Sequence, residues 1–345
     1  MIEQFIRLIR LLGLRRAVRM KRHHDKGLKY IRGYAACSCW WTLLNEGFLD
    51  ELDEQGRIDP QQYAGHKGLD LKTLQAAIGY LDGIGLLEQW SGAVCLSDEG
   101  RVLLAEPRGL FELLWAYEPC FRELGDLLKG RKKYGRDLER RITYVGVGSG
   151  RLCEQLPYPV MRRMVLRQNC RGVLDLGCGD LAFLAGLCRR DENIRGHGID
   201  CSPDMVRFDQ EQLGENDFGG RLTVQVGDMF NLPEPPEGLG RVDGITACDT
   251  FHEYLQEEKK LVELLQALRA RFDGAVWVIG EFCLQDAAWL RKHPTASLEH
   301  HLFHDLSNQQ IGTAQQWREI FDRAGLEIIE EQIYDLIGHG YFMLR

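Results

Sequence analysis

Hydrophobic positions in the first thirty residues, among them Ile6, Ile9, Leu11, Leu12 and Leu14, alternate with Arg7, Arg10, Arg15, Arg16, Arg19, Lys21, Arg22 and Lys26. This spacing predicts a basic amphipathic helix that packs its apolar stripe on its own domain or on a second subunit; a membrane-surface helix is the other use of such a pattern. Leu74, Ala77, Ile78 and Leu81 mark the face of a second helix, which Gly83 and Gly85 end. Leu86 to Trp90 then turns through Ser91 and Gly92 into Val94 to Leu96, and Ser97, Asp98 and Glu99 open another helix. Helix, hairpin and helix in this order predict a winged-helix-like unit. The segment that would enter a DNA groove, LKTLQAAIGYL, has one lysine and no arginine, so dimerisation is expected rather than DNA reading. From Arg108 to Met164, helical stretches flank the basic loop GRKKYGRDLERR and the glycine-rich VGVGSG, expected as a turn or hinge because no phosphate-loop residues follow it.

After Arg171 the pattern changes. Apolar runs at Val173 to Leu176, Ile194 to Ile199, Val224 to Val226, Val242 to Ala247 and Ala275 to Ile279 are separated by helical segments, which predicts an α/β domain with a parallel sheet covered on both faces. Ser202 and Pro203 start one of these helices; Thr313 with Gln316 reads as a capping box for another, whose face is Trp317, Ile320, Phe321 and Ala324 and whose stop is Gly325.

With 345 residues the chain exceeds one ordinary domain, and two are expected: 1–165, helical and winged-helix-like, and 166–345, Rossmann-like. A net charge of -8 offers no general field for nucleic acid. Apolar runs fall far short of the roughly 20 residues of a membrane span. The 11 cysteines are scattered and never spaced as CxxC, which suits a reducing cytoplasm.

Glycine turns between strand and helix bring backbone close to a nucleotide at the carboxyl ends of strands. The third glycine of a dinucleotide fingerprint is missing after Gly177 and Gly179, where Leu181 and Ala182 stand, which weakens an NAD reading. The run VLDLGCGDLAFL, followed by HGIDCSPDMV and VQVGDMF, resembles the class I S-adenosylmethionine-dependent methyltransferases over the whole second half. The resemblance implies S-adenosylmethionine as cofactor. Asp175 would orient its methionine part, Gly177, Cys178 and Gly179 would form the turn against it, Asp200 would accept both ribose hydroxyls, and Asp228 and Met229 would hold the adenine. The departure is at Asp180 and Leu181, where many members have another glycine.

A winged-helix-like domain ahead of this one, with WREIFDRAGLEII near the end, resembles the small-molecule O-methyltransferases, which implies a homodimer and no macromolecular substrate. In that group a histidine at the position of His252, in TFHEYLQEE, is the general base toward a hydroxyl. A smaller branch, the metal-dependent C-methyltransferases of 2-oxo acids, has a histidine at this same position and a second about fifty residues later. Here His304 follows His252 by fifty-two residues, in SLEHHLFHDLSNQQ. This resemblance implies His252 and His304 as ligands of iron or zinc, with His301 the alternative for the second. Three histidines within five residues also suit a solvated helix face. Glu253 is a candidate proton acceptor, water holder or helix cap, and Arg136 is the candidate for the substrate carboxylate, with Arg140 close behind. The preferred expectation is C-methylation beside the ketone of a 2-oxo acid; the alternative is O-methylation of a hydroxylated metabolite.

Overall fold

The computed structural model describes residues 2–215, 218–293 and 295–345, and the chain divides into two compact units, Met1–Phe111 and Glu112–Arg345. In the first unit, the amphipathic N-terminal segment is two helices, α1 (Ile2–Leu12) and α2 (Leu14–Asn45), because Gly13 takes φ +77° between them. The end of α2 buries Trp40, Leu43 and Leu44 in a core shared with α3 (Phe48–Gln55), α4 (Pro60–Lys67) and α5 (Leu71–Gly83). Asp59 and Asp70 cap α4 and α5 by accepting from first-turn amides. The hairpin β1 (Leu87–Trp90) and β2 (Ala93–Leu96) pairs Leu87 with Leu96, and Ile58 bridges to Val94 on its other side. Ser97 then caps α6 (Asp98–Leu104).

The second unit opens with helices α7 (Arg108–Arg122, whose first turn belongs to the first unit), α8 (Leu124–Leu128), α9 (Ile142–Cys153) and α10 (Pro157–Arg167). Strands and helices then alternate: β3 (Gly172–Leu176), α11 (Ala182–Arg190), β4 (Arg195–Asp200), α12 (Pro203–Glu215), β5 (Leu222–Val226), β6 (Gly244–Cys248), α13 (Glu258–Arg271) and β7 (Val276–Phe282). Helices α14 (Ala287–Lys292), α15 (Ser297–Leu306) and α16 (Ala314–Ala324) precede β8 (Ile328–Tyr334) and β9 (His339–Leu344). The sheet order is β5-β4-β3-β6-β7-β9-β8; the first five strands are parallel, and β9 runs antiparallel to both neighbours. The five strands read from the sequence form the parallel part, and β9 and β8 add an antiparallel edge that the sequence pattern did not show.

Alternation along the strands separates two cores. Leu174, Ile245, Trp277, Ile279 and Phe342 face α13 and α16, whereas Val173, Val276, Val278, Tyr341 and Met343 face α10 and α11. The sequence pattern puts a boundary at 165/166, shortly before alternation begins after Arg171; helices α9 and α10 cluster with the second unit because α10 lies against β7 and β9 and α9 against α12.

The VGVGSG segment, expected as a turn or hinge, lies inside α9. Its glycines serve close approach: a Cβ on Gly146 would stand 2.5 Å from the Met205 sulfur, and one on Gly150 would stand 2.2 Å from an Asp180 carboxylate oxygen. Thr313 caps α16, but the Gln316 side chain donates to Glu258 on α13 instead of closing the box. No described helix is long and apolar enough to cross a membrane.

Candidate active site

The carboxyl ends of β3, β4, β5 and β6 open into one cleft, whose lining includes Gly177, Gly179, Asp200, Met229, Thr250 and Glu253. The turn after β3 is held to β4: the Gly177 and Cys178 amides both donate to the Ile199 carbonyl, at 2.8 and 3.1 Å. Gly177 takes φ +69°, and a Cβ there would lie 2.6 Å from the Thr250 side chain. The next left-handed residue after Gly179 is Leu181, φ +56°, at the position where the family pattern carries glycine. A branched side chain in that region costs about 1–2 kcal/mol, and Leu181 is 4% exposed, so core packing offsets the strain.

Asp200 accepts from the Gly179 amide at 3.2 Å through one oxygen and from the Ser202 amide at 2.9 Å through the other. Each oxygen keeps a second lone pair, which is what two ribose hydroxyls would need. Burial raises its pKa against the pull of these two bonds. Met229 is buried and lines the cleft; Asp228 is exposed, with an oxygen accepting from the Phe230 amide. Asp175 lies within the sheet, where it accepts from Thr246 at 2.6 Å and where burial lifts its pKa to about 7. The Cys178 side chain points into the core: a Cβ on Gly198 would meet its sulfur at 2.6 Å. A cradle that excludes Cβ atoms, a carboxylate with spare acceptor capacity and a lining thioether fit S-adenosylmethionine.

Beyond β6, a short 3₁₀ turn carries His252, and α15 carries His304. Their Nε2 atoms are 3.1 Å apart. Each imidazole is fixed from behind: His252 Nδ1 donates to Glu281 at 3.0 Å, and His304 Nδ1 donates to the His300 carbonyl at 2.6 Å. Glu281, fully buried at the end of β7, also accepts from the amides of Thr250 and Phe251, at 2.9 and 2.5 Å, so one carboxylate sets both the loop and the ring. With both Nδ1 atoms donating, both Nε2 lone pairs turn to one point. Burial lowers the His252 pKa, but Glu281, Glu253 and Asp249 together outweigh it and the net shift is upward; burial and His252 push His304 down to about 2. His301 is partly exposed on α15, and it is His304 that meets His252.

Arg140 is the largely covered cation of this region, its side chain 10% exposed. It donates to Tyr117 at 3.1 Å, to Gln309 at 2.7 Å and to Glu253, whose carboxylate also accepts from Gln309 at 2.6 Å. Burial raises the Glu253 pKa, but Arg140 and His252 overcome it and hold the group below its usual value. Arg136 is a correction: its guanidinium is 62% exposed and paired with its neighbour Asp137, because it lies in the solvated loop before Arg140 turns inward.

Residues 173–271 match a family model described as a methyltransferase domain. The chain is 27% identical over 324 residues, 90% of each protein, to a 2-ketoarginine methyltransferase of Streptomyces arginensis. It is 22% identical to a methyltransferase of Aspergillus campestris, covering 85% of this chain and 88% of that one. Among solved structures, human N-acetylserotonin methyltransferase with S-adenosylmethionine superposes with TM-score 0.66 at 16% identity, covering 94% of this chain and 97% of that one. The mitomycin 7-O-methyltransferase superposes with TM-score 0.65 at 13% identity, covering 95% and 99%. The chain carries a methyltransferase domain and is an enzyme of the methyltransferase class. In this methyltransferase, sequence reasoning passed over Glu281, Gln309 and Asp249. Glu281 had a visible signal, a lone acid closing the apolar strand VWVIGEF.

Proposed function

We propose that this methyltransferase acts on a small 2-oxo acid, adding the methyl group to the carbon beside the ketone, with a metal ion held by His252 and His304. One observation carries the reading: two buried imidazoles whose Nε2 atoms face each other at 3.1 Å while both Nδ1 atoms are tied down. Two nitrogens bound to one cation at roughly 2.0–2.1 Å lie about 2.9 Å apart at a right angle and about 3.4 Å apart at the tetrahedral angle. The relative from Streptomyces arginensis, whose name gives a 2-oxo acid as substrate, supports the class.

S-adenosylmethionine supplies an electrophilic methyl group, and iron or zinc would stabilise negative charge developing on the keto oxygen. The chain's residues do the rest. Glu281 keeps His252 in the tautomer whose Nε2 carries a lone pair. Arg140 engages three of its five N–H donors on Tyr117, Gln309 and Glu253, and a remaining donor suits the substrate carboxylate. Glu253, held ionised by Arg140, is placed to take the proton from the carbon that is methylated.

The His252–Glu281 pair also favours a second reading, in which His252 removes a proton from a hydroxyl for O-methylation. Metal analysis beside product analysis separates the two. Under the first reading, wild type retains iron or zinc after dialysis against a weak chelator, His304→Ala loses it with at least about 100-fold of activity, and 2-oxo acids are C-methylated. Metal-free wild type, even after reconstitution, or an active His304→Ala variant refutes it.

A homodimer is the proposed assembly. Leu11, Tyr30, Ile31 and Tyr34 on α1 and α2 are each more than two-thirds exposed, an apolar surface that a second copy would cover. A monomer mass in light scattering refutes this.

A further inference from the structure

A second group of ligand atoms lies in the cofactor cleft, apart from the histidine pair. Cys153 on α9, Cys248 at the end of β6 and Asp249 next to it bring two sulfurs and one carboxylate oxygen within 4.8 Å of one another. The Asp249 Oδ2 atom is 3.6 Å from the Cys153 sulfur and 3.9 Å from the Cys248 sulfur, and the two thiols hydrogen-bond each other. A sulfur at about 2.3 Å and an oxygen at roughly 2.0–2.2 Å from one tetrahedral cation stand about 3.6 Å apart. Asp249 takes φ +52°, a conformation that residues other than glycine rarely adopt.

The arrangement is backed from behind. The other Asp249 oxygen accepts from His339 Nε2 at 2.6 Å, leaving Oδ2 for a ligand. His339 is buried on β9, which orients the carboxylate as outer residues orient the ligands of metal sites. None of the eleven cysteines is in a disulfide. Among the described residues, Cys153, Cys248 and Asp249 are the one cluster of three histidine, cysteine or acidic side chains with ligand spacing.

We propose that Cys153, Cys248 and Asp249 bind a thiophilic divalent cation of the zinc class, with a fourth position open to the cleft. Thiolate sulfur selects such ions over magnesium or calcium. All three residues line the cleft with Gly177, Gly179 and Asp200, so the bound cation and S-adenosylmethionine compete for the same space. The site therefore inhibits: the methyltransferase loses cofactor affinity as free zinc rises. This follows from the cysteine geometry alone and stands whether or not the histidine pair holds a metal.

The test is anaerobic titration of the whole protein, kept reduced by a non-thiol reductant, with cobalt(II) as a coloured stand-in for zinc. The expected result is a near-ultraviolet thiolate-to-cobalt charge-transfer band that appears in wild type, saturates at one equivalent in a His252→Ala/His304→Ala variant and disappears in both Cys153→Ser and Cys248→Ser. Saturating S-adenosylhomocysteine should weaken cobalt binding by at least about ten-fold. In parallel, zinc should displace the cobalt band from wild type. Circular dichroism of each serine variant, together with retained S-adenosylhomocysteine binding, separates loss of a ligand from loss of the fold. A wild type with no thiolate band, a band unchanged in either serine variant, or one indifferent to S-adenosylhomocysteine overturns the proposal.

Discussion

Replacing Glu281 by glutamine tests how the loop and His252 are set. The carboxylate accepts three hydrogen bonds, from the Thr250 amide, the Phe251 amide and His252 Nδ1, and is fully buried. Both amides reach the same oxygen, Oε1, so a glutamine oxygen can keep them. Its NH2 group then faces His252 Nδ1, and two donors cannot pair. The imidazole must switch tautomer, which places a hydrogen on Nε2 and removes its lone pair from the point it shares with His304. Bonds to a charged acceptor contribute about 1 kcal/mol more than neutral ones, so up to about 3 kcal/mol is lost over three bonds, less whatever is regained by no longer burying a charge. Net destabilisation of about 1–3 kcal/mol in urea unfolding is expected. Metal affinity, measured by competition with a chromophoric chelator, should fall by about 100-fold. Glu281→Ala should be worse in stability, since it leaves two buried amides without a partner, at about 1–3 kcal/mol each. Metal affinity within about two-fold of wild type in Glu281→Gln would refute the argument that this carboxylate fixes the tautomer.

Gly150→Ala puts a methyl group 2.2 Å from an Asp180 oxygen, so either the Asp180 carboxylate or α9 must move beside the cofactor turn; a loss of S-adenosylmethionine affinity of about ten-fold is expected by calorimetry, and unchanged binding would show that the Asp180 side chain yields alone. Arg140→Ala should raise the KM for a 2-oxo acid by about 100-fold, read in steady-state kinetics, whereas Arg136→Ala should leave it unchanged. Asp209, fully buried with both oxygens unpartnered, is pushed by burial, then by Asp180 and Asp200, up to about 8. The folded protein thus holds this proton where the unfolded chain releases it, and wild type loses stability as pH rises from about 4 to about 8. Asp209→Asn lacks that slope, so its stability relative to wild type should grow by a few kcal/mol between pH 5 and pH 8 in urea unfolding; a difference independent of pH would contradict the assignment.

Local pattern alone specified much of this protein. The apolar runs from Val173 to Ile279, the glycine turn at Gly177 to Gly179 and the capped starts at Ser97, Ser202 and Thr313 are short-range features, and each is found where its residues place it. The resemblance to the 2-oxo acid C-methyltransferases implied His252 with His304 or His301, and it is His304 that meets His252. Tertiary structure decided the rest, because contact between distant segments leaves no period in the chain. The glycines of α9 read as a hinge until Met205 and Asp180 fill the space their missing side chains leave. Arg136 and Arg140 have the same chemistry four residues apart, and only the packing of Tyr117, Gln309 and Glu253 brings one of them inside. Two cysteines 95 positions apart in sequence become neighbours because α9 crosses the end of β6, a relation that neither spacing nor composition encodes.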